Sequence, residues 1–160
     1  MSEPDAVIVF EAVSPAAPVA REALAHYFAE LDERFDGGFD AGDAMTEDVD
    51  AMSPPTGLFI VAHRGGDLVG CGGVKRNDET TAEIKRMWIS PSARGLGLGA
   101  RLLRTLEQHA ADLGYTAVVL DTNAVLLEAI AMYEKAGYVP IGRYNDNPYA
   151  HHWFKKASPL

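Results

Sequence analysis

Apolar and polar residues alternate from Val7 to Val13, a run rich in β-branched side chains, and this pattern predicts an opening strand. Pro15 and Pro18 stand where helices often begin, and the spacing beyond them predicts a helix over Val19 to Phe35, broken by Gly37-Gly38. The acidic stretch to Asp50 reads as a short second helix or a loop, ahead of the turn Pro54-Pro55-Thr56-Gly57. Strands Leu58 to His63 and Leu68 to Lys75 flank Arg64-Gly65-Gly66-Asp67 as a hairpin, and a third strand covers Thr81 to Ile89. Leu98, Leu102, Leu106, Ala110 and Leu113 recur at three- and four-residue steps, so a helix with one apolar stripe follows, stopped by Gly114. Tyr115 to Leu120 is then a strand, Ala124 to Ala136 a helix with Gly137 beyond its end, and Tyr138 to Tyr144 and Tyr149 to Lys155 are two closing strands around Asn145-Asp146-Asn147-Pro148. There is no internal repeat, linker or low-complexity tract.

Length changes this picture little: 160 residues, 48% of them hydrophobic, suffice for one domain with its own core, taken as residues 1–160. Charge changes it more. The net charge of -9 disfavours general affinity for nucleic acid or anionic membranes, and the window from Glu30 to Asp50 alone holds nine acids and one base. The start, Met1-Ser2-Glu3-Pro4-Asp5, is acidic where a signal peptide is basic, so a cytoplasmic location is expected. One cysteine, Cys71, excludes an internal disulfide; it reads as a small core residue, and no metal-ligand spacing occurs, so no metal is expected. His151 and His152, adjacent on a strand, face opposite ways and do not share a metal.

Candidate chemistry concentrates at Arg94-Gly95-Leu96-Gly97-Leu98-Gly99-Ala100, where a strand hands over to a helix. Glycines there leave the helix's first N–H groups and its positive dipole end open to an anion, and Arg94 adds a charge beside them. A purely structural glycine turn is one reading. A dinucleotide site is another, since Gly95-x-Gly97-x-x-Ala100 satisfies that fingerprint and Asp121 ends the next strand. Five residues from Ser90 to Arg94, including Pro91, count against it, because that fingerprint turns almost directly off its strand.

The third reading rests on order. Arg94, Gly97 and Gly99 match Arg/Gln-x-x-Gly-x-Gly/Ala, Glu83-Ile84 lies on the strand eleven residues before Arg94, and Tyr133 lies four residues before Gly137-Tyr138. In this the chain resembles the GCN5-related N-acetyltransferase (GNAT) family, most strongly from Ala82 to Tyr138. The resemblance implies an α/β (α+β) fold, a mixed, splayed central sheet flanked by helices, and transfer of acetyl from acetyl-CoA to an amine. It assigns Glu83 as general base and Tyr133 as general acid. Backbone groups of Met87, Trp88 and Ile89 would line the thioester and pantetheine arm, and Arg94 to Ala100 would hold the pyrophosphate. The family often has an asparagine seven residues before the tyrosine; here that position is Leu126, and Asn123 is a nearby substitute.

Each residue also has a simpler reading: Met87 to Ile89 as a buried strand, Glu83 as an exposed strand carboxylate, Tyr133 as an aromatic packing beside Ile130. Lys85 and Arg86 are unusual within a strand and have no assigned role. Because the resemblance puts the segment joining the first two helices at the acceptor channel, Asp40, Asp43 and Glu47 are expected to favour a cationic acceptor, with Asn145 also on the substrate side. A homodimer is compatible with the resemblance. A sensor that binds acetyl-CoA without turnover and a dinucleotide-binding protein are the alternatives to an enzyme.

Overall fold

The computed structural model describes residues 7–157; Met1 to Asp5, on which the argument against a signal peptide rests, lie outside the described residues. The chain runs β1 (Ile8–Val13), α1 (Pro18–Arg34), α2 (Ala44–Ala51), β2 (Leu58–Arg64), β3 (Asp67–Arg76) and β4 (Thr81–Ile89). It continues with α3 (Leu98–Asp112), β5 (Ala117–Thr122), α4 (Leu127–Lys135), β6 (Val139–Ile141) and β7 (His152–Ala157). The strands form one seven-stranded sheet in the order β1-β2-β3-β4-β5-β7-β6. Among the described residues no helix is long and apolar enough to cross a membrane.

Two apolar stripes cover the sheet. Leu102, Leu103, Leu106 and Ala110 of α3 pack on Ile60, Val74, Ile84 and Val118 on one face. On the other, Ala20, Ala23, Leu24 and Phe28 of α1 meet Phe59, Val61, Cys71 and Trp88. Glycines at the middle of β3 let both layers close: a Cβ on Gly72 would stand 2.6 Å from Leu106 Cδ1, and one on Gly73 2.1 Å from Met52 Sδ. The elements expected from the periodicities are present in the expected order, and the layers are those the family resemblance implies, while the ends differ. The strand expected over Tyr138 to Tyr144 is confined to Val139–Ile141, and residues 142–151 form a loop whose Asn145 and Asn147 side chains bond backbone N–H groups instead of a ladder. The strand expected from Tyr115 begins at Ala117, because the amides of Tyr115 and Thr116 bond Ala110 and Thr80 carbonyls.

β4 and β5 are the parallel neighbours, and they pair only over Thr81↔Ala117, Ala82↔Val118 and Glu83↔Val119. Beyond that point β4 runs to Ile89 and β5 to Thr122 with no further pairing, so the sheet splits. A bulge in β4 accompanies the split. Cys71 faces Trp88 but Gly73 faces Lys85, so Arg86 and Met87 stand opposite Gly72 alone. Arg86 takes φ 61°, a left-handed conformation that costs a non-glycine residue about 1 kcal/mol or more. Its side chain secures it: Nε and Nη2 donate to the two oxygens of buried Asp48 on α2 at 3.0 and 3.3 Å, and the guanidinium lies over the Phe28 ring at 5.3 Å. The Cys71 thiol donates to the Arg86 carbonyl at 3.2 Å, and burial pushes that thiol's pKa up, as befits a core residue. Asp48→Ala would leave a buried guanidinium without its carboxylate, and chemical denaturation is expected to show a loss of about 3 kcal/mol.

Candidate active site

Two cavities meet in the gap between the parted strands. One, about 320 Å³, is bounded by the end of β4, the glycine loop and α4; Trp88, Ile89, Arg94, Gly95, Leu98 and Gly99 contribute to its wall. The other, about 460 Å³, opens towards α1, α2 and the 142–151 loop, with Glu83, Asp121, Asn123, Asn145 and Tyr149 among its lining. Tyr27, Met87, Leu126 and Tyr133 line both and therefore mark the junction. Glu83 and Tyr133, fifty residues apart, are thus brought together by the fold.

The glycine loop has the backbone geometry that an anion cradle requires. Gly95 and Gly97 hold φ of 83° and 73°, and Gly97 caps α3 in the left-handed conformation. No atom lies within 4 Å of where a Cβ on either would stand, so the backbone is open to a large group. Such a loop, with the first N–H groups of α3 behind it, fits a pyrophosphate. Gly99 has a different reason: its Cβ would meet Met132 Sδ at 3.0 Å, so it sets how closely α3 and α4 approach. Leu96 is exposed, and Leu96, Gly97 and Ala100 are not part of the cavity wall. The Arg94 side chain is already engaged: Nε donates to the Ile89 carbonyl at 3.1 Å, and Nη2 pairs with Glu30 of α1. Glu30 also pairs with Arg34 at 3.4 Å, and Arg34 pairs with Glu128 of α4, so four charges chain across the cavity mouth.

On the other side, Glu83 is 4% exposed. Its Oε2 accepts from the Tyr144 hydroxyl at 2.6 Å and from the Asn145 amide at 3.3 Å, with Lys85 Nζ at 3.8 Å. Its Oε1 has Lys75 Nζ at 3.9 Å, beyond hydrogen-bond reach. The same Asn145 amide donates to Asp121, and Asn145 Oδ1 accepts from Trp153 Nε1 at 3.0 Å. Burial, seconded by the Glu83 charge, raises the Tyr144 pKa and keeps that hydroxyl a donor. Burial is also the main cause that raises Tyr133, with Tyr27 and Asp121 adding to it, so this phenol holds its proton well above neutral pH.

Other expectations fare unevenly. Asn123, the substitute expected for the asparagine absent at Leu126, lines the larger cavity and holds the local loop: its amide donates to the Tyr149 carbonyl at 2.7 Å and its oxygen accepts from Val125 N–H at 2.9 Å. Glu47 lines the larger cavity, whereas Asp40 and Asp43 do not. Asp40 Oδ1 accepts from Gly42 N–H at 2.8 Å, and Asp43 stands at the N-terminal boundary of α2 without a side-chain cap bond. Lys85 and Arg86 acquire roles, beside Glu83 and in the bulge. His151 accepts from the Ala124 N–H at 3.0 Å and His152 packs near Phe154, 6.3 Å between rings. Asp121, the acid a dinucleotide fold would place by the glycine loop, lines the opposite cavity.

A family model described as the acetyltransferase (GNAT) family matches residues 21–138, well over half of the chain. The chain belongs to the GNAT family. Similar proteins include an IAA acetyltransferase of Azospirillum brasilense, 34% identical over 143 residues that span 84% of this chain and 94% of that one. The fold is that of a GNAT-family acetyltransferase from Staphylococcus aureus Mu50, with TM-score 0.80 at 16% identity, covering 94% and 99% of the two chains. A GNAT acetyltransferase from Elizabethkingia anophelis, solved with acetyl-CoA bound, matches at TM-score 0.66 and 16% identity over 94% and 97%. As a GNAT enzyme this chain is an acetyltransferase, and the dinucleotide reading falls.

Sequence reasoning noticed Asp121 only as a ribose ligand, and it missed Tyr27, Tyr144 and the Arg94–Glu30–Arg34–Glu128 chain. Only Tyr27 carried a signal, as a phenol on the face of α1 that turns towards the sheet. If the loop holds a pyrophosphate, Glu30 competes with it for Arg94. Glu30→Gln is expected to tighten acetyl-CoA binding roughly two- to fivefold by calorimetry, the scale of an exposed ion pair; weaker binding would give Glu30 a supporting role instead.

Proposed function

We propose that this GNAT enzyme transfers acetyl from acetyl-CoA to a primary amine by direct attack, with Glu83 as general base and Tyr133 as general acid. The observation that carries the reading is the position of Tyr133 at the junction of two cavities, one backed by an anion cradle and the other by a buried carboxylate. A thioester reaching from the cradle would present its carbonyl near Met87 and its sulfur near Tyr133.

The residues divide the work as follows. Tyr144 and Asn145 fix Glu83 through Oε2, which leaves Oε1 to take a proton from the acceptor, an amine that is mostly charged at neutral pH. The neutral nitrogen then forms its bond to the acetyl carbon. The backbone N–H of Met87, beside the bulge, supports the negative charge gathering on the carbonyl oxygen. As the carbon–sulfur bond breaks, Tyr133 gives its proton to the leaving sulfur, while the nitrogen, which still carries one excess proton after attack, loses it to water, and water returns a proton to Tyr133. Burial of Tyr133 suits this step, because an acid must still be protonated when it is needed. A binder without turnover would have no use for a base and an acid on opposite sides of one junction.

A thiol-release screen of acetyl-CoA against a panel of amines tests the activity. In it, Glu83→Gln and Tyr133→Phe are each expected to lower kcat roughly 10- to 10⁴-fold while acetyl-CoA binding survives. If none of the amines in the panel provokes thiol release while acetyl-CoA still binds, the sensor reading takes its place.

A further inference from the structure

Asp121 is a second carboxylate on the wall of the larger cavity, and nothing in the acetyl-transfer chemistry above uses it. It stands two residues past Val119, the last β5 residue paired with β4, so its side chain lies where the sheet opens. Its partners are neutral: the Asn145 amide to Oδ2, and the Asn147 amide to Oδ1 at 3.3 Å. The ion pairs of the described residues engage Glu30, Asp48, Glu83, Glu107 and Glu128, and Asp121 takes part in none of them. A carboxylate offers about four acceptor sites, so two amides leave room for a charged donor. Asp121 also adds its negative charge to Tyr27 and Tyr133 at the junction, behind burial as the main cause of their raised pKa values, that of Tyr27 reaching about 12.

The rest of the cavity limits what that donor is attached to. Phe35, Phe39 and Tyr149 form one wall, with Phe39 and Tyr149 rings 4.6 Å apart and Phe35 5.7 Å from Tyr149. Such a wall receives a flat apolar body. The charged lining is balanced, Glu47, Glu83 and Asp121 against Lys75, Lys85 and Arg86. With no net charge in the lining, a second positive charge on the acceptor has no excess of carboxylates to meet.

We propose that Asp121 anchors the ammonium group of the acceptor, and that the acceptor is a small amine of single positive charge whose flat apolar body lies on Phe35, Phe39 and Tyr149. The proposal rests on the acetyltransferase reading, since it places the anchored nitrogen between Asp121 and the base Glu83, which share the Asn145 amide. It differs from a field set up by the acidic segment before β2. There Glu30 and Asp48 are spent on ion pairs and Asp32 accepts from Phe39 N–H, whereas Asp121 acts by contact.

The test is a binding titration on the enzyme saturated with CoA, which cannot turn over. 2-Phenylethylamine is the probe and 2-phenylethanol its neutral counterpart. Asp121→Asn is expected to weaken the amine roughly 10- to 100-fold, the scale of a hydrogen bond to a charged group, and to leave the alcohol unchanged. Asp121→Glu, which keeps the charge, should recover part of the loss. Unchanged amine affinity in Asp121→Asn overturns the proposal. So does an equal loss for the alcohol, which means a disturbed cavity, or spermidine binding wild type more tightly than 2-phenylethylamine. Amine binding that depends on Asp121, with no thiol released from acetyl-CoA, would support the anchor and refute the proposed acetyl transfer. Failure of CoA to bind at all would remove both.

Discussion

Two neighbouring strands that run parallel for three residues and then part create the space on which everything else in this protein depends. β4 and β5 separate after Glu83 and Val119, and neither strand end is covered by a new strand partner within the gap. The separation is maintained rather than accidental. An extra residue in β4 bends it away from the sheet plane, and the left-handed backbone at Arg86 would be unfavourable without the ion pair to Asp48 and the ring of Phe28 beneath it. Here α2, only eight residues long, contributes less by its own apolar burial than by carrying Asp48 to the bulge. An acidic residue that looks like surface charge in the sequence is thereby a determinant of the active-site opening.

The two cavities that fill the gap have opposite requirements, and the residues meet them differently. The anion site proposed on the α3 side would draw on backbone: open glycines and a helix start, with side-chain charge secondary and already shared through the chain from Arg94 to Glu128. On the acceptor side the charges are side chains, and burial makes each unmet partner costly. Asn145 answers this by serving Glu83, Asp121, Trp153 and the Asn147 backbone at once, so the loop between β6 and β7 is fixed by the cavity carboxylates it covers. That reciprocal arrangement explains why residues 142–151 are ordered by side chains rather than by extending either strand.

The legible and the hidden parts of the chain divide by sequence distance. The α3 stripe from Leu98 to Ala110 and the β2–β3 hairpin were readable because the forces that form them act between near neighbours. The glycine loop was readable because positive φ leaves a chemical mark. The Arg86 conformation leaves none, since arginine there is set by a partner 38 residues away. Placement of β7 between β5 and β6 likewise follows from long-range pairing, not from any local pattern. The acidic run was visible, but its division into Glu30 and Asp48 in ion pairs, Asp32 in a turn and Glu47 at the cavity was not. Asp121 was noticed for the wrong reason, as a ribose ligand, and its place beside Glu83 becomes visible only when the loop brings Asn145 across 24 residues to meet it.

In the proposed complex the gap between β4 and β5 receives the thioester arm while the glycine loop receives the pyrophosphate. Amide hydrogen exchange with and without acetyl-CoA measures this at the residues concerned. Cofactor seated in this way is expected to slow exchange at Met87 to Ile89 and at Gly95 to Ala100 and to leave β1 and β2 unchanged. Slowed exchange confined to other segments, or none at all under saturating acetyl-CoA, would contradict it.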